Sequence, residues 1–194
     1  MYNIINRATF MAQSFVSKAL SENDTAVDAT LGNGNDTLFL SEMVGKGGEV
    51  YSFEIQKEAI DKFNELLIEK NINNVKVIHS GHENMDKYLV KKPKAIMFNL
   101  GYLPGGLKAI KTEPQTTIIA VKKGLEILRP GGIMTIIAYI GHEGGQHETD
   151  VIVDYLKTLS PKEFSIINIS YFSTNNNAPI LICIEKSCNL NEGK

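Results

Sequence analysis

The chain has 194 residues, 43% hydrophobic and 22% charged, with a formal net charge of -2, which fits one globular domain (1–194) with a substantial core. That balance excludes a global basic field drawing the protein to nucleic acid, although a local patch would suffice for an RNA substrate. Arg7 and Arg129 are the only arginines, so phosphate contacts would lean on lysine.

The two cysteines lie near the C-terminus; Cys183, inside the apolar run PILICIEK, reads as a core residue. There is no CxxC pair and no disulfide framework, which suits a reducing compartment. The first residues lack a basic start followed by an apolar signal core, and no apolar run approaches the ~20 residues of a membrane span. A soluble cytoplasmic protein is expected.

In chain order, Ala8, Met11, Ala12, Phe15, Val16, Ala19 and Leu20 follow helical spacing and predict an amphipathic helix. TAVDA is the first strand, and DTLFLSEMV a helix begun by a capping Asp or Thr. GKGGEVYSFE gives a turn and the second strand. QKEAIDKFNELLIEKN is a helix with an apolar stripe at Ala59, Ile60, Phe63, Leu66 and Leu67. VKVIHS is the third strand, HENMDKYL a short helix and KAIMFNL the fourth strand. GYLPGGLKAIKTEPQ is a long Gly/Pro-rich connection, of a length that is often functional. TTIIAVKKGLEIL is a helix, RPGG a turn and IMTIIAY the fifth strand. GHEGGQHE precedes the helix TDVIVDYLKTL, and FSIINISYF and PILICIEK read as a closing antiparallel hairpin around STNNNA.

Alternating strands and helices imply a mostly parallel α/β sheet covered on both faces, with one antiparallel strand from the hairpin. Ligands of such sheets bind beyond the carboxyl ends of the strands, near the point where strand order reverses. Every unusual polar cluster falls just after a strand: VDATLGNGNDT, then Glu54, Ser80-Gly81-His82, Asn99 and Tyr139-Gly141-His142. One large site is the simplest account.

Gly32 and Gly34 would let a loop approach a ligand closely, with the amides of the next helix nearby. Glu54 lies about 20 residues further on, at the end of the second strand, where an acid accepts ribose hydroxyls. A nucleoside ligand follows. A dinucleotide fingerprint wants a third glycine where Thr37 stands, and Asp36 beside it would repel a pyrophosphate. S-adenosylmethionine carries no phosphate, and its positive groups suit Asp28 or nearby backbone carbonyls. The pattern favours S-adenosylmethionine over NAD.

AVDATLGNGNDTLFL, GHEN, FNLGYLPGG, RPGG, YIGHEGGQHE and NNAPILICIEK together resemble a family of class I methyltransferases labelled rRNA methylase, over roughly residues 8 to 186. Its members are associated with methylating the aminomethyl group of the tRNA wobble uridine. The resemblance implies a Rossmann-like sheet of seven strands, S-adenosyl-L-methionine as donor, and 5-methylaminomethyl(-2-thio)uridine in tRNA as product. It also implies a cofactor cradle of Asp28, Thr30, Gly32, Asn33, Gly34, Asn35, Asp36 and Thr37, then Glu54, Ile55 and Gln56, then Ser80, Gly81 and His82, with Asn99, Leu100 and Gly101 closing it.

Asn99 to Tyr102 (NLGY) is similar to the Asn-Pro-Pro-Tyr element of methyltransferases that act on amines. The Asn99 side-chain oxygen and the Leu100 carbonyl would accept amine N–H groups and aim the lone pair. Leu-Gly in place of Pro-Pro makes this turn less rigid. Tyr102 would stack on the target base. His142 is the candidate proton acceptor, and Tyr139, Gly141 and His142 would position the substrate.

His82 is expected to border the adenine or to cap its short helix. His142, His147, Glu143 and Glu148 invite a metal reading, but methyl transfer needs no metal and the HExxH frame is missing; no metal is expected. Lys91, Lys92 and Lys108, with Lys87, Lys94 and Lys111, are candidate phosphate contacts in the tRNA anticodon region. A homodimer is one arrangement that would present such a substrate. The competing readings are an rRNA-base or small-amine methyltransferase, an NAD-dependent oxidoreductase, and a nucleoside-binding module without chemistry.

Overall fold

The structure, a computed structural model, describes residues 7–101, 112–141, 144–172 and 178–188. Tyr102, Lys108, Lys111, His142 and Glu143 lie outside the described residues.

The elements follow the order α1 (Ala8–Ala19), β1 (Thr25–Asp28), α2 (Asn35–Val44), β2 (Glu49–Glu54), α3 (Lys57–Glu69), β3 (Val75–His79), a 3-10 helix (His82–Lys87), β4 (Ala95–Leu100), α4 (Pro114–Ile127), β5 (Ile133–Ala138), α5 (Gly145–Leu156), β6 (Phe164–Ile169) and β7 (Ile180–Lys186). The strands form one seven-stranded sheet in the order β3-β2-β1-β4-β5-β7-β6. β1 to β5 pair in parallel, and β7 runs antiparallel to both β5 and β6. The expected single antiparallel strand is therefore β7.

The strands are apolar on both faces because both are covered. Alternation divides them: Val27, Phe53, Ile96, Phe98 and Ile136 pack with Leu125 of α4 and Ile152 of α5. Their neighbours Ala26, Val50, Ala95, Met97 and Ile137 pack with Ala12 and Val16 of α1 and Leu40 and Val44 of α2. Phe63 and Leu67 of α3 close over Leu31, seating the loop that follows β1.

Three expectations need correction. No side chain caps α2: its N-cap is Gly34, in the left-handed region at φ 77. Asp36 and Thr37 are drawn elsewhere, Asp36 to Gln13 of α1 and Thr37 to Asp28. HENMDK is a 3-10 helix whose N-cap is Gly81, so His82 does not cap it. α5 begins at Gly145, four residues before the expected start, because left-handed Gly144 opens it and the buried Glu148 anchors its first turn.

Candidate active site

Strand order reverses between β1 and β4, which is where a ligand crevice is expected in such a sheet. The loop after β1 is held from below. Ala29 N–H donates to the Met97 carbonyl at 2.8 Å and Leu31 N–H to the Phe53 carbonyl at 3.0 Å. Gly34 N–H closes a turn on the Leu31 carbonyl at 2.7 Å. Gly32 and Gly34 both have positive φ, 52 and 77. At Gly34 a Cβ would run into the Phe63 ring, so this glycine serves the packing of loop on α3. Asn33 and Asn35 are exposed at the loop's tip.

Asp28 is covered by this loop, at 1% exposure. Its carboxylate accepts from Thr30 N–H at 3.0 Å and from the Thr37 hydroxyl at 2.6 Å. Thr37 in turn shares a hydrogen bond with Ser52 of β2. Burial, aided by the nearby Asp36, pushes the Asp28 carboxyl up to about 7. Burial also raises Asp36, against the pull of its Gln13 bond. Asp28 thus lies beneath the loop, with both carboxylate oxygens taken up by the loop and α2.

The Glu54 carboxylate is already engaged with the backbone. Oε1 accepts from Ile55 N–H at 2.8 Å and Gln56 N–H at 2.9 Å, and Oε2 accepts from Gly32 N–H at 3.2 Å. A carboxylate has about four acceptor positions. One remains for a ribose hydroxyl, and a second opens if the long Gly32 bond yields.

Among the described residues, none of Asp28, Asp36 and Glu54 forms an ion pair. Three carboxylates at one loop, two of them resisting ionisation, suit a positively charged ligand and oppose a phosphate. This donor-poor, acid-rich set fits the sulfonium and ammonium of S-adenosyl-L-methionine and argues against NAD.

β4 delivers the opposite wall. Asn99 N–H donates to the Thr30 hydroxyl at 2.7 Å, tying the two walls together. The Asn99 Oδ1 atom is buried and has no hydrogen-bond partner. Leu100 is buried, and Gly101 takes φ 136. Tyr139, 38% exposed, and the exposed Gly141 follow β5 at the same end. Burial first, and the charge of Asp36 next, raise the Tyr139 hydroxyl above its ordinary range.

Ser80 N–H donates to the Glu54 carbonyl at 3.1 Å, bringing Ser80 and Gly81 beside β2. His82 is buried against the edge of Phe98, with Nδ1 bonded to the Ala29 carbonyl at 3.1 Å. The carbonyl can only accept, so Nδ1 carries the proton and Nε2 presents a lone pair, which is buried and without a partner. Burial lowers the tendency of His82 to charge. It is a neutral wall residue, open to a donor from the ligand.

Lys91 and Lys92 are not at this site. They are exposed just before β4, at the end of the sheet opposite Asn99. A six-residue strand separates them from the crevice, about 20 Å. The charge of Lys91 reaches Glu49 at the start of β2, and that of Lys92 reaches Lys186 at the same lower edge. Lys87 and Lys94 are tied to Asn84 and to the Pro130 carbonyl. Residue type alone suggested these lysines; the strand end that Lys91 and Lys92 occupy sets those two apart from the crevice.

Sequence reasoning missed Gln13, which reaches Asp36 at 2.9 Å, and the partners of Glu148. Glu148 is 2% exposed and accepts from the Thr112 hydroxyl at 2.9 Å and the Thr117 hydroxyl at 2.6 Å. An acid in a Gly-rich run was the available signal; its threonine partners lie more than thirty residues away. Among the described residues no group of three His, Cys, Asp or Glu side chains is arranged to hold a metal, and no helix is long and apolar enough to cross a membrane.

Comparison with known proteins gives the same picture. The family model described as "Putative rRNA methylase" matches residues 50–185. A curated relative from Arabidopsis thaliana, a chloroplastic tRNA (mnm(5)s(2)U34)-methyltransferase, is 41% identical over 157 residues, or 75% of this chain. The match spans 57% of that relative's length. A crystal structure from Clostridium thermocellum, titled a "putative rRNA-methylase", superposes with TM-score 0.91 at 42% identity, covering 95% of this chain and 100% of that one. A "putative methyltransferase" of Streptococcus mutans, solved in complex with SAH, superposes with TM-score 0.87 at 39% identity, covering 94% and 99%. With a Rossmann-like sheet and a family match over most of its length, this chain belongs to the family described as "Putative rRNA methylase", within the class I methyltransferase fold.

Proposed function

We propose that this protein is an S-adenosyl-L-methionine-dependent RNA methyltransferase whose acceptor is the aminomethyl nitrogen of 5-aminomethyl(-2-thio)uridine at the tRNA wobble position. The observation that carries the amine acceptor is Asn99 Oδ1, a buried oxygen without a donor at the end of β4. A buried acceptor left unpaired costs about 1–3 kcal/mol. A primary amine brings the N–H groups that relieve it. The name of the Arabidopsis relative supports the wobble uridine as target, and the SAH in the Streptococcus mutans structure supports the donor.

When bound, S-adenosyl-L-methionine supplies a methyl group on a positive sulfur. The chain's own residues do the rest. Glu54 accepts a ribose hydroxyl. Asp28 and Asp36 offset positive charge at the loop after β1, and their own ionisation is favoured in return. Asn99 Oδ1 and the Leu100 carbonyl hold two N–H groups and leave one lone pair facing the crevice, so that orientation carries much of the rate. An alkyl amine is mostly protonated at neutral pH, as a lysine is, and a protonated amine has no lone pair. The acid-rich wall would stabilise that ammonium, so proton removal is a separate requirement. We assign it to His142, with Tyr102 stacking on the base and Tyr139 and Gly141 bordering the substrate. The rate with free amine as the reactive form rises from about pH 6 to about pH 9.

The test is mass spectrometry of tRNA nucleosides from a strain lacking this protein, complemented with wild type or Asn99→Ala. Accumulated 5-aminomethyl(-2-thio)uridine, cleared by wild type and not by the variant, supports the reading. In vitro, Asn99→Ala lowers kcat by about a hundredfold with little change in cofactor affinity. Near-normal turnover by this variant refutes the role of Asn99.

A further inference from the structure

Glu148 lies outside the residues so far given a role in the reaction, yet it ends a chain of hydrogen bonds that begins at the acceptor element. Gly101 N–H donates to Thr112 Oγ1 at 3.0 Å, and the Thr112 hydroxyl donates to Glu148 Oε2 at 2.9 Å. Glu148 Oε1 accepts from Thr117 at 2.6 Å. Thr112 N–H returns to the Gly101 carbonyl at 3.0 Å. The carboxylate therefore sets the polarity of Thr112: its one proton goes to Glu148, and a lone pair is left for Gly101. A charged acceptor at the end of such a chain strengthens each bond in it.

The N–H of Gly101 and the C=O of Leu100 belong to one peptide group. That group is planar and trans, so fixing the N–H direction fixes the carbonyl direction. Gly101 sits at φ 136, a conformation L side chains rarely adopt, and Leu-Gly here lacks the stiffness of prolines. Something outside the turn must hold it.

We propose that Glu148 is a positioning residue: through Thr112 it locks the Leu100–Gly101 peptide plane and so aims the Leu100 carbonyl oxygen at the acceptor amine. This rests on the reading of Asn99 and Leu100 as the amine's acceptors. The sequence replaces the rigidity of a proline pair by a buried carboxylate relay from α5, and the relay couples the start of α5 to the geometry of methyl transfer.

The experiment uses the full chain and tRNA carrying 5-aminomethyluridine. It measures kcat, KM for tRNA, cofactor affinity by calorimetry, and Tm. Thr112→Val lowers kcat by about tenfold or more while cofactor affinity stays within about twofold, and Thr112→Ser restores kcat to within about threefold. Thr117→Val removes a hydroxyl from the same carboxylate without touching Gly101; it lowers Tm comparably and lowers kcat far less. Should Thr112→Val fold poorly, the isosteric Glu148→Gln, with one oxygen for two hydroxyls, reads the same loss of kcat at unchanged cofactor affinity. Equal losses of kcat in Thr112→Val and Thr117→Val overturn the relay, as does normal kcat in Thr112→Val when Asn99→Ala is inactive. Normal turnover by Asn99→Ala instead overturns the reading of the site, and this inference with it.

Discussion

Replacing Asp28 by Asn removes a carboxyl that the fold covers almost completely, and the consequence is read in pH dependence. Asp28 is 1% exposed. Burial first, and Asp36 next, push its carboxyl from 3.8 to about 7, while the Thr37 and Thr30 bonds pull the other way. At about 1.4 kcal/mol per tenfold change in proton affinity, ionising this group costs about 4 kcal/mol more in the fold than in the unfolded chain. Below about pH 4 the group is protonated in both states and contributes nothing to the pH dependence. Between about pH 4 and pH 7 the unfolded chain gives up the proton while the fold keeps it, so stability falls as pH rises. Above about pH 7 the cost is complete and constant. In urea denaturation at steps across this range, the stability of wild type relative to Asp28→Asn falls by up to about 4 kcal/mol and then levels. A positively charged ligand favours the ionised cluster, so wild type binds S-adenosyl-L-methionine more tightly at about pH 8 than at about pH 6, and Asp28→Asn shows a shallower dependence. Stability curves of wild type and variant that run parallel throughout refute the reasoning.

Glu54→Ala weakens S-adenosyl-L-methionine binding by about 1–3 kcal/mol, the range for hydrogen bonds to a charged group, and calorimetry showing unchanged affinity removes Glu54 from the cofactor site. Gly34→Ala combines a left-handed backbone cost of about 1–2 kcal/mol with displacement of the buried Phe63 ring. Its Tm falls by about 4 °C or more, and a Tm equal to wild type would mean that the loop does not pack on α3 as described. Replacing both Lys91 and Lys92 by Ala leaves the salt dependence of anticodon stem-loop binding unchanged, since both lie at the far end of the sheet; a flattened slope would show that RNA reaches that end.

Order, type and approximate limits of the elements were determined by local pattern. Period-2 and period-3.6 apolar repeats need only neighbouring residues, and each strand's C-terminal polar cluster was visible because parallel strands put these ends together. Gly32, Gly34, Glu54 and Asn99 were legible for the same reason: each stands at a fixed place relative to its own strand. The tertiary structure alone decided which partners those residues have. Asp36 turns to Gln13 of α1, Thr37 to Asp28, and Glu148 to Thr112 and Thr117, across 23, 9, 36 and 31 positions of sequence. No periodicity encodes such distances. Thr37 was legible as a break in the dinucleotide pattern, but its hydroxyl under Asp28 was not. Charge carries no address, so the lysines before β4 could not be placed from residue type; a strand's length and direction put Lys91 and Lys92 at the end away from the crevice. The elements follow from what each residue prefers next to its neighbours, and the site's electrostatics from what burial then forces unlike residues to share.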